Sequence, residues 1–238
     1  MLKNTNTIKK NKQYECKKLF WSDSKTIKKL KDSLQEENVS ITSTDTILGF
    51  LAKISKKSFN LLNQLKGKRS NKPYLILINS KDKITKFVNP KSIDHKLQYL
   101  INKCWPGPLT IIFKAKNDLP SFLVSNEQKI AIRNPNHTEL QRLLNFFDGL
   151  FSSSANKSGK EIPKKISEID NEILKDIEYI VTEHENDNNF DKTKYTDKIL
   201  PSTIIDASIK NEINIIREGA YTIKKLKEIY GENIKKKD

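Results

Sequence analysis

Lys129-Ile130-Ala131-Ile132-Arg133-Asn134-Pro135-Asn136-His137-Thr138-Glu139-Leu140-Gln141-Arg142-Leu143-Leu144-Asn145-Phe146-Phe147-Asp148-Gly149-Leu150-Phe151-Ser152-Ser153 is the stretch on which the fold turns. Residues 129–133 form a short apolar run between two cations and read as a strand. Thr138–Phe147 places its leucines at helical spacing and reads as an amphipathic helix. Leu150–Ser153 is a short strand. Strand, helix and strand in succession are the repeating unit of an α/β sheet.

The same alternation extends outward from this unit. Ser24–Asn38 reads as a helix capped by Asp23 or Ser24, with Ile27, Leu30 and Leu34 on one face. Val39–Thr44 is a strand, 56–65 a helix and 74–79 a buried strand. Two weaker helices are expected near 81–88 and 92–103, then a strand at 109–114. A helix at 166–175 leads to a strand at 177–182. Residues 183–200 are polar, without apolar period, and read as a long loop. Strands at 203–206 and 212–217 precede a last helix at 222–230. This predicts one α/β domain over 19–230, between a flexible basic tail at 1–18 and a second basic tail at 231–238.

Composition narrows the function. The chain has 238 residues, enough for a core without disulfides or metal. Its formal net charge is +15, which by itself suggests an anionic partner such as RNA or a nucleotide. Yet of 44 basic residues only Arg69, Arg133, Arg142 and Arg217 are arginine, so the lysine excess reads as compositional drift rather than a nucleic-acid stripe. Where lysine is the default cation, an arginine brings a planar fork for bidentate anion binding. Two cysteines without CxxC spacing indicate a reducing compartment, and three scattered histidines form no metal-ligand pattern. No apolar run is long enough to span a bilayer, and the polar N-terminus lacks a secretory h-region. A cytoplasmic protein without membrane contact is expected.

Four segments at element ends carry candidate chemistry. Thr42-Ser43-Thr44-Asp45-Thr46-Ile47-Leu48-Gly49 crowds hydroxyls at a strand end. Lys66-Gly67-Lys68-Arg69-Ser70-Asn71-Lys72-Pro73 groups four cations in a loop able to neutralise a polyphosphate, although it is not a Walker A loop. Cys104-Trp105-Pro106-Gly107-Pro108-Leu109-Thr110 is a rigid turn into a strand, with Trp105 as packing and Thr110 able to face a ligand. Ser152-Ser153-Ser154-Ala155-Asn156-Lys157-Ser158-Gly159 can offer several donors to a phosphate or an adenine edge. No GxSxG surrounds these serines, and no particular His or Asp can be assigned to them, so a serine-hydrolase reading lacks support. Arg133 ends one strand, Ser202 begins another, and Arg217-Glu218-Gly219 ends a third. A buried arginine at such a place needs an anion, either a ligand or an internal Asp or Glu.

In this order the segments resemble the YrdC-like threonylcarbamoyl-AMP synthases. That family shows a Thr-Glu-Thr-Val-Tyr-Gly segment, a Lys-x-Arg segment, Trp-Pro-Gly-Pro-Leu-Thr, an Arg after an apolar strand, Ser-Ala-Asn, Ser-Thr-Val and Arg-x-Gly. Here they stand as Thr44–Gly49, Lys66–Pro73, Trp105–Thr110, Arg133, Ser154–Asn156, Ser202–Ile204 and Arg217–Gly219. The resemblance implies a twisted, mostly mixed β-sheet of about seven strands, with helices on both sides and substrates on its concave face.

It also implies the synthesis of threonylcarbamoyl-AMP from ATP, L-threonine and bicarbonate, with Mg2+ arriving on ATP. Lys66, Lys68, Arg69, Thr110, Ser154, Asn156 and Arg217 would hold ATP, with either Lys68 or Arg69 on the phosphates. Thr46, Arg133 and Ser202 would hold threonine. No residue is assigned as nucleophile or base. A downstream threonylcarbamoyl transferase and tRNA would be the later partners. Leu48 stands where the family has Tyr, and Ser43 where it has Pro. The polar stretch 183–200 replaces a Gly-rich loop that would act as a lid. The rival reading is a non-catalytic basic RNA-binding module.

Overall fold

The computed structural model describes residues 16–67, 73–183, 200–231 and 234–236. Among these, eleven strands form one mixed sheet in the order β1-β8-β2-β3-β7-β4-β6-β5-β9-β10-β11. They are β1 (Lys17–Phe20), β2 (Ser40–Thr42), β3 (Gly49–Lys53), β4 (Leu75–Leu77), β5 (Leu109–Lys114), β6 (Lys129–Arg133), β7 (Leu150–Ser154), β8 (Tyr179–Thr182), β9 (Thr203–Asp206), β10 (Ile213–Arg217) and β11 (Ile234–Lys236). The helices are α1 (Thr26–Gln35), α2 (Lys56–Lys66), α3 (His95–Cys104), α4 (Thr138–Leu144), α5 (Asn171–Leu174) and α6 (Ile223–Tyr230).

Strand alternation sends neighbouring residues to opposite faces. Phe50, Ile76, Phe151 and Ile180 join the larger core with Leu62 of α2, Leu100 of α3 and Leu226 of α6. Their neighbours Leu51, Leu77, Leu150 and Val181 join a second core with Leu30 and Leu34 of α1 and Leu140 and Leu143 of α4. Each fully buried Leu, Ile or Phe contributes about 1.5–3 kcal/mol, so both layers are strongly held. Helices therefore cover both sides, as expected. The second layer is incomplete, because α1 and α4 pack near β1, β8, β2, β3 and β7. The same face of β6, β5 and β9, which carries Ala131, Arg133, Thr110, Ile112, Ile204 and Asp206, contributes nothing to this second core and stays open.

Several expected elements differ. Lys17 and Lys18, assigned to the N-terminal tail, lie in β1, which pairs in parallel with β8. Ile234–Lys236, assigned to the C-terminal tail, forms β11 beside β10, with Ile234 buried. Residues 1–15 lie outside the described residues. The first helix starts at Thr26 with Lys25 at its N-cap, and neither Asp23 nor Ser24 caps it. Thr26 Oγ1 instead donates to the carbonyl of Phe20 at 2.7 Å. The helix expected at 166–175 splits into a 3-10 turn at Ile166–Glu168 and α5, because Asp170 caps a new start through Glu172 N at 2.9 Å. The helix expected at 81–88 is a 3-10 turn over Lys81–Lys86, entered through Ser80.

Candidate active site

The open half of the sheet face is the floor of a cavity of about 790 Å³. Its floor follows the alternation of the strands: Thr110 and Ile112 from β5, Lys129, Ala131 and Arg133 from β6, Ser152 and Ser154 from β7, Ile204 and Asp206 from β9. The residues between them, such as Ile111, Ile130, Ile132 and Ile205, point into the larger core. A volume of this size lies within the range of small-molecule sites.

Strand register organises the polar end. Ile111 pairs with Ile132, so one step along Thr110 stands opposite Arg133. Thr110 pairs with Ile204 across β5 and β9, and Ile204 with Arg217 across β9 and β10. Two of the four arginines thus close the ends of one row over four adjacent strands.

Arg133 is held on three sides. Its Nε donates to the carbonyl of Gly107 at 3.1 Å and one terminal nitrogen donates to Thr46 Oγ1 at 2.9 Å. The other terminal nitrogen donates to Asp45 Oδ1 in a buried ion pair. Gly107 is in place because its N–H donates to the carbonyl of Asn134 at 2.8 Å, while Trp105 Nε1 donates to the carbonyl of Leu109 at 2.6 Å. Trp105 is thereby packing, as read from the sequence. Thr46 sits in a turn closed by Thr44 Oγ1, which donates to the carbonyl of Ile47 at 2.8 Å and accepts from Thr46 N at 3.1 Å.

Ser202 Oγ and Thr110 Oγ1 are 2.8 Å apart and share a hydrogen bond. Arg217 donates to the carbonyl of Ser202 at 2.7 Å and is otherwise exposed at the rim. Desolvation and then repulsion from Arg133 press its pKa downward. Its exposure means that water screens much of this repulsion. Gly219 fixes the segment after Arg217: a Cβ there would come within 2.1 Å of the carbonyl oxygen of Pro201, so only glycine lets the two backbones meet.

Thr46, Thr110, Arg133, Ser154, Ser202 and Arg217 therefore all line one cavity. Lys66 and Asn156 are not among its described lining residues. Lys66 Nζ donates to Asn156 O at 2.6 Å, Asn156 Oδ1 at 2.9 Å and Ser154 O at 2.9 Å. Ser154 Oγ donates to Asn156 Oδ1 at 2.6 Å, and Asn156 Nδ2 donates to the carbonyl of Lys160 at 2.5 Å. These two residues shape the turn behind Ser154. Lys68 and Arg69 lie outside the described residues, as does 184–199, most of the expected lid.

Sequence reasoning assigned no role to three further groups. Asp45 lay inside a quoted segment, a single acid among hydroxyls. Lys129 bridges Glu127 and Asp206 at the cavity's other end, with 3.0 Å to Asp206 Oδ2. Contact with Glu127 raises the Lys129 pKa against desolvation, with Asp206 adding to it. Burial alone would raise the Asp206 pKa, but Ser208 and Lys129 outweigh it and hold it low. Finally, Glu183 Oε1 lies 2.6 Å from His137 Nε2 and accepts from Ser43 Oγ at 3.3 Å. His137 Nδ1 accepts from Leu140 N at 3.2 Å, so the ring carries its proton on Nε2 and donates to Glu183.

A mixed sheet with one half-face bared, carrying Arg133 and Arg217 with Thr46, Thr110, Ser154 and Ser202, thus offers cations and hydroxyls together in one cavity. The chain belongs to the Sua5/YciO/YrdC family, whose profile, described as "Telomere recombination", matches residues 32–219. A Methanocaldococcus jannaschii protein provisionally named a threonylcarbamoyl-AMP synthase is 34% identical over 203 residues, covering 85% of this chain and 89% of that protein. A Wigglesworthia glossinidia brevipalpis protein named threonylcarbamoyl-AMP synthase is 29% identical over 147 residues, 61% of this chain and 76% of its own. P. abyssi Sua5 complexed with L-threonine superimposes with a TM-score of 0.76 at 22% identity, over 89% of this chain and 58% of that one. This chain thus spans less than two thirds of that Sua5. E. coli YciO gives a TM-score of 0.73 at 17% identity, over 89% and 99%. At these identities the two structures establish the shared fold.

Proposed function

We propose that this protein makes L-threonylcarbamoyl-AMP from ATP, L-threonine and bicarbonate, with release of pyrophosphate. The observation that carries this reading is the row Arg133–Thr110–Ile204–Arg217, walled by Thr46 and Ser202, in the cavity of a chain whose relatives bear the synthase name. Arg133, Thr46 and Ser202 hold threonine. Three of the five N–H groups of Arg133 are engaged, one on each nitrogen. One therefore remains on each terminal nitrogen, the donor pair that a carboxylate takes. Arg217, Ser154 and Thr110 hold ATP, and the sequence motif assigns either Lys68 or Arg69, which lie outside the described residues, to its phosphates. Lys66 and Asn156 serve the same half by holding the Ser154 turn.

The threonine amine adds to bicarbonate with loss of water, or to carbon dioxide with loss of a proton, giving a carbamate. A carbamate oxygen then attacks the α-phosphorus of ATP and pyrophosphate leaves, which makes the enzyme a nucleotidyltransferase. No covalent enzyme intermediate is needed: the protein aligns three reactants and offsets negative charge. Magnesium enters as the counter-ion of ATP. The ion would be held by the phosphates of ATP and by water.

The product would supply the threonylcarbamoyl group that a downstream transferase places on a tRNA adenosine next to the anticodon. The rival reading, a non-catalytic basic RNA-binding module, has no comparable support. The test is pyrophosphate release by the purified protein with magnesium. It should require ATP, threonine and bicarbonate together, and release without threonine would overturn the reading.

A further inference from the structure

Asp45 stands behind Arg133 rather than in the cavity. It is absent from the described cavity lining, whereas Thr44, Thr46 and Arg133 all line it. Its side chain is 6% exposed, and both of its oxygens are engaged. Oδ1 takes a terminal nitrogen of Arg133, and Oδ2 accepts from Asn136 N at 2.9 Å. One carboxylate therefore ties the turn after β2 to the segment after β6, across more than eighty positions of chain.

A second connection joins the same two regions. Ser43 Oγ and His137 Nε2 both meet Glu183 Oε1, while Trp21 Nε1 donates to Ser43 Oγ at 2.9 Å. This second tie fixes the backbone of the turn without touching Arg133. The distinct contribution of Asp45 is thus to the guanidinium itself.

We infer that Asp45 is a positioning residue: it turns Arg133 so that the remaining N–H of each terminal nitrogen faces the cavity, and so sets the affinity for the amino-acid carboxylate. The inference rests on the assignment of Arg133 to threonine. Three fixed acceptors, Gly107 O, Thr46 Oγ1 and Asp45 Oδ1, define the guanidinium plane. Of these only Asp45 is charged, so it alone adds ion-pair attraction to the hydrogen bond it accepts. Asp45 also offsets one of the two positive charges at this end of the cavity. Without it, Arg133 and Arg217 would face each other unbalanced, and Arg133 would be drawn toward any anion rather than held in one orientation.

Asp45→Asn keeps the shape and removes the charge. Threonine KM should rise at least about tenfold while ATP KM and kcat stay within about twofold, because the change acts through orientation of one ligand's contact. A second readout needs no substrate. With four arginines in the chain, the Arg133 Nε–H resonance can be assigned by NMR through Arg133→Lys. It should be sharp and slowly exchanging in the wild type, and broadened or lost in Asp45→Asn.

A shifted Arg133 signal with no threonine response in either protein would remove threonine from the site and overturn the substrate part. An unchanged Arg133 signal would overturn the positioning role itself, whatever the substrate. Should Asp45→Asn fail to fold, Asp45→Asn/Arg133→Met is read instead. Recovery of folded protein is expected for a buried pair removed together, and an unfolded double variant would contradict the pairing.

Discussion

Arg133 and Arg217 close the two ends of a single row across β6, β5, β9 and β10, with Thr110 and Ile204 between them. Each is fixed through a backbone carbonyl, Gly107 O for Arg133 and Ser202 O for Arg217. Only Arg133 also has an internal carboxylate, while Arg217 has none among the described residues. The cavity is therefore balanced on one side and open to anionic charge on the other, which matches a zwitterionic amino acid beside a triphosphate.

Arg133→Lys removes the fork while keeping the charge. A lysine cannot reach Gly107 O, Thr46 Oγ1 and Asp45 at once, and presents no planar donor pair. Threonine KM should rise by about 1.5–3 kcal/mol of lost charged hydrogen bonding, roughly ten- to hundredfold. ATP affinity should change little. Steady-state kinetics in each substrate check this, and an unchanged threonine KM would remove Arg133 from that role.

Asn156→Ala opens the turn behind Ser154. Its side chain accepts from Lys66 and Ser154 and donates to the carbonyl of Lys160, so the substitution leaves a buried ammonium short of one acceptor. Nucleotide binding should weaken by about 1–3 kcal/mol. Calorimetric titration with a non-hydrolysable ATP analogue measures it. Unaltered affinity would show that the turn does not serve the nucleotide.

Gly219→Ala drives a methyl group into the backbone at Pro201 and Ser202. No flexible side chain can yield there, so stability should fall by about 1–3 kcal/mol through overpacking. Arg217 should lose its place beside Ser202, and ATP affinity with it. Thermal denaturation and nucleotide titration of the same sample are the check. A variant as stable as wild type would mean that the two segments do not approach as closely.

Lys129→Met breaks the bridge to Asp206 and Glu127. The partners range from nearly buried Asp206 to exposed Glu127, so the loss at neutral pH should be about 1–2 kcal/mol, between the limits for exposed and buried pairs. Because Asp206 is held below its ordinary pKa, its part is present above about pH 3.9 and lost as pH falls through the lower folded value. The difference between variant and wild type in urea denaturation should accordingly be full near neutrality and shrink in acid. A gap that persists unchanged in strong acid would contradict the electrostatic origin.

Much of this was legible in local pattern. Residues 129–153 give strand, helix and strand close to the observed β6, α4 and β7. The motif residues Thr46, Thr110, Arg133, Ser154, Ser202 and Arg217 do meet in one cavity. What escaped depends on distant partners. β3 is buried on both faces in the sheet interior, so Gly49–Lys53 shows no alternation to read. β1 and β11 carry lysines suited to sheet edges, which composition alone assigns to tails. The Arg133–Asp45 pair spans 88 positions, and only the folded sheet reveals which acid answers which arginine.

The most direct test of the central claim is mass spectrometry of the purified protein incubated with magnesium, ATP, threonine and carbon-labelled bicarbonate. A threonine-dependent adenylate that carries the label should form together with pyrophosphate. An unlabelled threonyl adenylate, or labelled product with another amino acid in preference to threonine, would contradict that claim.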